Sequence, residues 1–401
     1  MSDWRFEMKI TSVDVIKVVK ARGTNPSVFT PICVRINTDE GISGYGEAGL
    51  TYGDANQAAF GICQDFSRLI IGKDPFDTEA IWESLMRLTF WGMGGGSVIW
   101  AGISAIDIAL WDIKGKALGV PCHKLLGGKT NRKLKCYASQ IQFDWSPVSR
   151  AMIMPEDYAQ AASKAMEEGY QAVKVDPIGY DLEGNWLKST KTGFLSSSEL
   201  DLAYQRVKAI RERGGRGLEI IIELHALTDT KSAVQLIERL RDLECSFVEE
   251  PTMPLNPKLM KKISDQTAMP LAAGERIYTR WGFRPFIEDA SLQVLQPDMG
   301  NSGGFTETKK ICDMAHVYDI GVQLHICGGP LATAAALQLE AAIPNFVIHE
   351  HHAVALIDDN IKLCKYDYQP VDGYFDIPEL PGIGQELSEY ALETSDIVRI
   401  Q

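Results

Sequence analysis

Glu223, Glu249 and Glu275 recur every 26 residues, each at the end of a short apolar run. Three carboxylates gathered in one pocket repel one another unless a cation lies between them. Oxygen-only donors suit a hard ion, and Mg²⁺ among hard ions keeps positions open for water or substrate. Asp298 and His325 follow at the ends of the next two runs. A carboxylate beside an imidazole fixes its tautomer and raises its basicity, as a general base requires. Lys174 ends an earlier run, where it could hydrogen-bond a developing oxyanion or carry a proton. His225 stands two residues past Glu223 and shares its face if the strand stays extended. Glu350 ends the last run, among His349, His351 and His352. Alternation sends His351 and His352 to opposite sides, which argues against a zinc site there.

Elements far apart in sequence must bring these residues together. From Lys174 to Glu350 the steps between them are 49, 26, 26, 23, 27 and 25 residues. A strand, a helix and two loops need about that length, so the steps read as repeated βα units. In a closed parallel barrel all strand C-termini meet at one face. The runs 135–139, 172–175, 219–224, 246–249, 270–273, 292–295, 321–324 and 346–348 are the expected strands, several of them continuously apolar. The polar stretch 177–197 accounts for the oversized first step and reads as a functional loop over the barrel mouth. Ser198 is the expected cap of the helix after it, with Leu200, Ala203, Val207 and Ile210 buried.

Before the barrel, 8–19, 31–37 and 42–47 read as strands of a small antiparallel sheet. Helices are expected over 54–71, 78–88 and 101–118, the last with one buried face through Ile103, Ile106, Leu110, Ile113 and Ala117. Gly94-Gly95-Gly96 lacks a preceding strand and a following GK[ST], so it reads as a helix connection rather than a phosphate cradle. Substrate contacts are expected from segments 20–30, 50–54, 91–97 and 177–197.

The chain has 401 residues and a formal net charge of −13. That balance argues against nucleic acid and anionic membranes, which need basic surfaces, yet allows an anionic substrate beside a metal. Eight cysteines without a CxxC pair imply reduced thiols. No signal segment or membrane-length apolar run is present, so a soluble cytoplasmic protein is expected.

The segment from Thr38 to Glu47, the helix from Ala105 to Lys116, Glu249-Glu250-Pro251, Gly274-Glu275, Gln296-Pro297-Asp298 and Gly303-Gly304 resemble the enolase superfamily, in its mandelate racemase branch. The closest likeness is to acid sugar dehydratases of the galactonate type. That resemblance implies an α/β fold, a modified TIM barrel (β/α)7β with an N-terminal α+β capping domain. It divides the chain into a capping domain (1–130), a barrel (131–355) and a C-terminal segment returning to the cap (356–401). It also implies a homo-oligomer, dimer to octamer, acting on a small acid sugar. By position, Glu223, Glu249 and Glu275 match the Mg²⁺ ligands, Asp298 and His325 the Asp–His dyad, and Glu350 the acid that hydrogen-bonds the substrate carboxylate. His225 matches the extra histidine of galactonate and mannonate dehydratases, and Lys174 the first lysine of the branch's Lys-x-Lys. The chain departs from the pattern at Glu223, where aspartate is usual, and at Asp176, which replaces the second lysine. The implied activity is dehydration of an aldonate such as galactonate, gluconate or mannonate to a 2-keto-3-deoxy acid. A cycloisomerase or an epimerase would use the same first step. A Schiff-base aldolase on Lys174 would leave the three glutamates unexplained.

Overall fold

The computed structural model describes residues 8–18, 29–186 and 193–401, apart from the side chain of Trp91. Strands β1 (Ile10–Lys17), β2 (Ile32–Thr38) and β3 (Ser43–Ala48) form an antiparallel sheet in that order. The helix Ser97–Leu118 packs on it, with no room between the backbones. A Cβ on Gly44 would lie 2.1 Å from the Ala109 carbonyl oxygen, and one on Gly46 would lie 2.0 Å from that of Ala105. The expectation of one buried face is corrected here. From Trp100 to Leu110 this helix is buried on every side, because the sheet covers one flank and barrel helices cover the other.

The barrel strands are β4 (Leu134–Ser139), β5 (Ala172–Val175), β6 (Glu219–Glu223), β7 (Phe247–Glu249), β8 (Leu271–Ala273), β9 (Val294–Leu295), β10 (Gly321–Val322) and β11 (His349–His352). All eight run parallel, and β11 pairs with β4. Val322 bridges to Phe346 just ahead of β11, which closes the ring. The last strand was expected over 346–348. It forms later, because 345–347 reach β10 only through the two hydrogen bonds around Val322. A short β12 (Tyr374–Phe375) pairs antiparallel with β4, and β13 (Asp396–Ile400) pairs antiparallel with β1. Arg35 and Arg399 both donate to the buried Asp14 carboxylate, clamping β13 to the first sheet.

The helix Ser197–Gly214 begins two residues earlier than expected. Ser196, not Ser198, is its cap: Ser196 accepts the Glu199 N–H, and Glu199 accepts the Ser196 N–H in return. The N-terminal sheet docks on the barrel through polar contacts. Buried Glu47 accepts the backbone N–H groups of Gly329 and Ala332, at the start of helix Pro330–Ala342. Gly49 N–H donates to the Gly300 carbonyl. These contacts hold Leu50 and Tyr52 over the barrel mouth. All eight cysteines are free, and no described helix is long and apolar enough to cross a membrane.

Candidate active site

Strand alternation builds the site in layers. Ala172, Ile221, Phe247 and Ile348 belong to one apolar cluster. Two residues further along the same strands stand Lys174, Glu223, Glu249 and Glu350, on the same inward face. All four are buried with almost no exposure. Lys174 Nζ lies 2.9 Å from both Glu249 oxygens, 2.8 Å from Glu350 Oε1 and 3.5 Å from Glu223 Oε2. Burial works against charge on Lys174, yet Glu249 and Glu350 hold it protonated well above the usual lysine range. It is therefore no solvated lysine reaching out from an apolar strand.

Glu350 is engaged on both oxygens. Ser139 Oγ donates to Oε1 at 2.6 Å, and the Ile326 N–H donates to Oε2 at 2.9 Å. Burial pushes this carboxyl up, but Lys174 and His325 outweigh it and leave it ionised. Glu350 thus accepts hydrogen bonds on both oxygens.

One layer higher the site carries two Asp–His pairs. His325 Nδ1 lies 2.8 Å from Asp298 Oδ2, and its Nε2 lies 2.8 Å from Glu275 Oε2. Burial disfavours charge on this imidazole, but Glu275 and Asp298 raise its affinity for a proton well above the histidine norm. His225 Nδ1 lies 2.7 Å from Asp176 Oδ2, and Asp176 is fully buried. The chain is not extended at His225 as alternation required. His225 and Ala226 have φ of 45° and 56°, and the His225 N–H turns back to Glu223 Oε1 at 2.6 Å. Asp176 was legible only as a departure from a motif. Its pairing had a signal: Asp176 to His225 spans 49 residues, as Lys174 to Glu223 does.

Above these layers lies a cavity of about 430 Å³. His225, Glu275 and His325 line it, whereas Lys174, Glu223, Glu249 and Glu350 lie beneath. One wall is aromatic. Trp186 packs against Phe143 at 5.2 Å, Tyr180 at 4.9 Å and His225 at 6.1 Å between ring centroids. Arg276 and His352 also line the cavity, and sequence reasoning assigned neither a role. Arg276 is paired with Glu250 and Glu275. Of the segments expected to touch substrate, Phe29, Leu50, Tyr52, Ser97, Tyr180 and Trp186 do line the cavity. Residues 20–28 and 187–192 lie outside the described residues.

Glu223 and Glu249 face each other in register on adjacent strands. Burial, together with Glu223, drives the Glu249 carboxyl well above its usual range, and burial raises that of Glu223 as well. An added cation relieves that strain, so the oxygen-only donor set Glu223, Glu249 and Glu275 fits Mg²⁺ in chemistry. The three carboxylates do not converge as a cage: among the described residues no group of three or more acidic, histidine or cysteine side chains is set to hold a metal ion. Glu275 turns instead to His325 and Arg276, while Glu249 turns to Lys174.

Comparison with known proteins accounts for nearly the whole chain. The model of the mandelate racemase / muconate lactonizing enzyme N-terminal domain matches residues 7–127, and the enolase C-terminal domain-like model matches residues 157–391. A D-galactonate dehydratase of Pectobacterium atrosepticum is 34% identical over 362 residues, covering 89% of this chain and 88% of its own length. A D-xylonate dehydratase of Haloferax volcanii is 32% identical over 366 residues, covering 90% and 84%. A crystal structure of a member of the enolase superfamily from Salmonella Typhimurium superposes with a TM-score of 0.94 at 53% identity, over 98% of this chain and 100% of that one.

Proposed function

The chain belongs to the enolase superfamily, in its mandelate racemase branch, and from that premise we propose that it dehydrates an aldonic acid to a 2-keto-3-deoxy acid. One observation carries the reading: a second Asp–His pair, Asp176–His225, stands on the same cavity as Asp298–His325. Dehydration needs a base for the α-proton and an acid for the departing β-hydroxyl, and two oriented imidazoles supply one of each.

His325, held through Nδ1 by Asp298, takes the α-proton on Nε2 once Glu275 has turned from it. Glu223, Glu249 and Glu275 are the residues that would hold Mg²⁺. When bound there, the ion supplies positive charge beside the substrate carboxylate. Lys174 adds a fixed positive charge beneath the developing enediolate. His225, held through Nδ1 by Asp176, gives its Nε2 proton to the β-hydroxyl, which leaves as water. The enol left behind tautomerises to the 2-keto acid. Glu350 anchors Lys174 and the Ile326 backbone, so its share in holding the substrate carboxylate runs through them.

The same Asp176–His225 pair favours one second reading. If His225 returns a proton to the α-carbon, the outcome is epimerisation without loss of water. Incubating the protein and Mg²⁺ in D₂O with D-galactonate, D-gluconate, D-mannonate and D-xylonate, followed by proton NMR, separates the two. Dehydration gives a 2-keto-3-deoxy acid. Epimerisation gives an inverted, deuterated aldonate. No exchange with any of the four refutes both.

A further inference from the structure

We propose that His352 recognises the bound sugar acid, donating its Nε2–H to a hydroxyl oxygen of the substrate and so setting which hydroxyl configuration the cavity accepts. The inference rests on the dehydratase reading and deepens it.

Alternation along β11 places His352 on the side of the site. Glu350 faces inward into the charged layer, and His352, two residues on, faces inward one layer higher. It lines the cavity with both Asp–His pairs. His349 and His351 face the other way, into the packing behind the barrel, and the Nε2 atom of each is buried without a partner. His352 differs on both counts. The Val354 N–H donates to its Nδ1 at 3.1 Å, so that nitrogen is an acceptor and the proton must sit on Nε2. Among the described residues no hydrogen bond satisfies His352 Nε2, and the atom is not among those sealed from solvent. A donor fixed in one tautomer therefore opens on the cavity.

The surroundings decide what that donor can serve. Burial opposes charge on His352 against the pull of Glu350, and Lys174, His325 and His225 oppose it further, so the ring stays neutral with its pKa pushed down to about 4. A neutral N–H brings no positive charge to offset a carboxylate, and it is a suitable donor to a hydroxyl oxygen. The other two cavity imidazoles are each held by an aspartate. His352 is thus distinct from the proton-transfer machinery: its one fixed partner is a backbone N–H, and its role is to bind. A site built to hydrogen-bond a particular hydroxyl discriminates against the configuration that cannot reach it.

Two substitutions separate this role from a structural one. His352→Asn keeps an acceptor for the Val354 N–H, since asparagine serves well at such a cap, but it ends short of the cavity. His352→Gln extends an amide N–H further toward the position of Nε2. On whichever of the four aldonates above the wild-type protein turns over, His352→Asn should raise KM roughly tenfold, with kcat within a few fold and the melting temperature unchanged. It should also narrow the kcat/KM differences among the four. His352→Gln should recover part of the KM. Nitrogen-15 NMR of histidine-labelled, substrate-free protein should show His352 neutral and protonated on Nε2 at pH 7. The proposal is overturned if His352→Asn keeps the wild-type KM, if its KM change comes with a matching loss of thermal stability, or if the Nδ1–H tautomer is found. If the wild-type protein acts on none of the four, the dehydratase reading itself fails and takes this proposal with it. A wild-type protein that turns over beside an unaffected His352→Asn variant sinks the proposal alone.

Discussion

The two Asp–His pairs are alike in bond and unlike in setting. Each imidazole meets an aspartate oxygen through Nδ1, at 2.8 Å for His325 and 2.7 Å for His225. Beyond that bond they part. The Nε2 of His325 faces Glu275, one of the three carboxylates suited to a metal, whereas the His225 ring packs edge-on against Trp186 in the aromatic wall. Asp298 also caps a short helix by accepting the Gly300 N–H at 2.7 Å, while Asp176 accepts the Ile178 N–H at 2.9 Å. The difference teaches that a common device, an aspartate fixing an imidazole tautomer, takes its task from what lies on the ring's other side. On the proposed reading, the ring beside the carboxylates suited to a metal removes a proton. On the same reading, the ring against the aromatic wall, whose Nδ1 lies 4.0 Å from Glu223 and 2.7 Å from Asp176, delivers one.

The largest test of that division removes the metal on which the proposed reaction relies. Dialysis against EDTA should abolish both α-proton exchange and dehydration, and Mg²⁺ should restore them together. Activity that survives chelation would mean that the acidic floor works through Lys174 alone. Next in size is His325→Asn. It should lower α-proton exchange ~10³-fold, within the span typical of a lost general base, while Mg²⁺ binding measured by calorimetry persists. Smaller effects should follow from the aspartates. Asp176→Asn should slow dehydration by roughly tenfold to a hundredfold and leave α-proton exchange close to wild type, and Asp298→Asn should slow both. Equal effects of the two substitutions on exchange would erase the distinction between the pairs.

The smallest effect on turnover is expected at His351, on the opposite face of β11 from the site. Its Nδ1 meets the Tyr170 hydroxyl at 2.5 Å, and burial pushes its pKa down to about 3. An unfolded histidine titrates at ~6.5. Between those values the unfolded chain binds a proton that the folded one excludes, so stability is full above about 6.5 and falls as the pH drops toward 3. The slope from this group is at most ~1.4 kcal/mol per pH unit. Melting curves from pH 7 to pH 4 should show a shallower acid loss for His351→Phe than for wild type, with kcat unchanged. A kcat that falls with His351→Phe would show that the scaffold face of β11 is not separate from the site.

Much of this was legible in the sequence because strand ends repeat in phase. The 26-residue steps that link Glu223, Glu249 and Glu275 mark consecutive βα units, and the same phase leads to Asp298 and His325. What the sequence hid depended on local backbone or on packing from two sides. Ser196 and Ser198 each have an acidic residue three positions on, so either could cap the helix; the backbone chose Ser196. The helix Ser97–Leu118 has an apolar face in its sequence, but burial all round comes from lying between two layers. His225 leaves the strand with positive φ, so its meeting with Asp176 followed no simple alternation. His352 looked like one histidine in a run until the turn after it brought the Val354 N–H to Nδ1.

The division of labour between the pairs is tested most directly by His225→Asn, with Mg²⁺ and the aldonate the wild-type protein dehydrates, followed by proton NMR in D₂O. The account predicts that the α-proton signal is replaced by deuterium at near the wild-type rate while no 2-keto-3-deoxy acid forms. Dehydration at the wild-type rate, or loss of exchange together with dehydration, would contradict it.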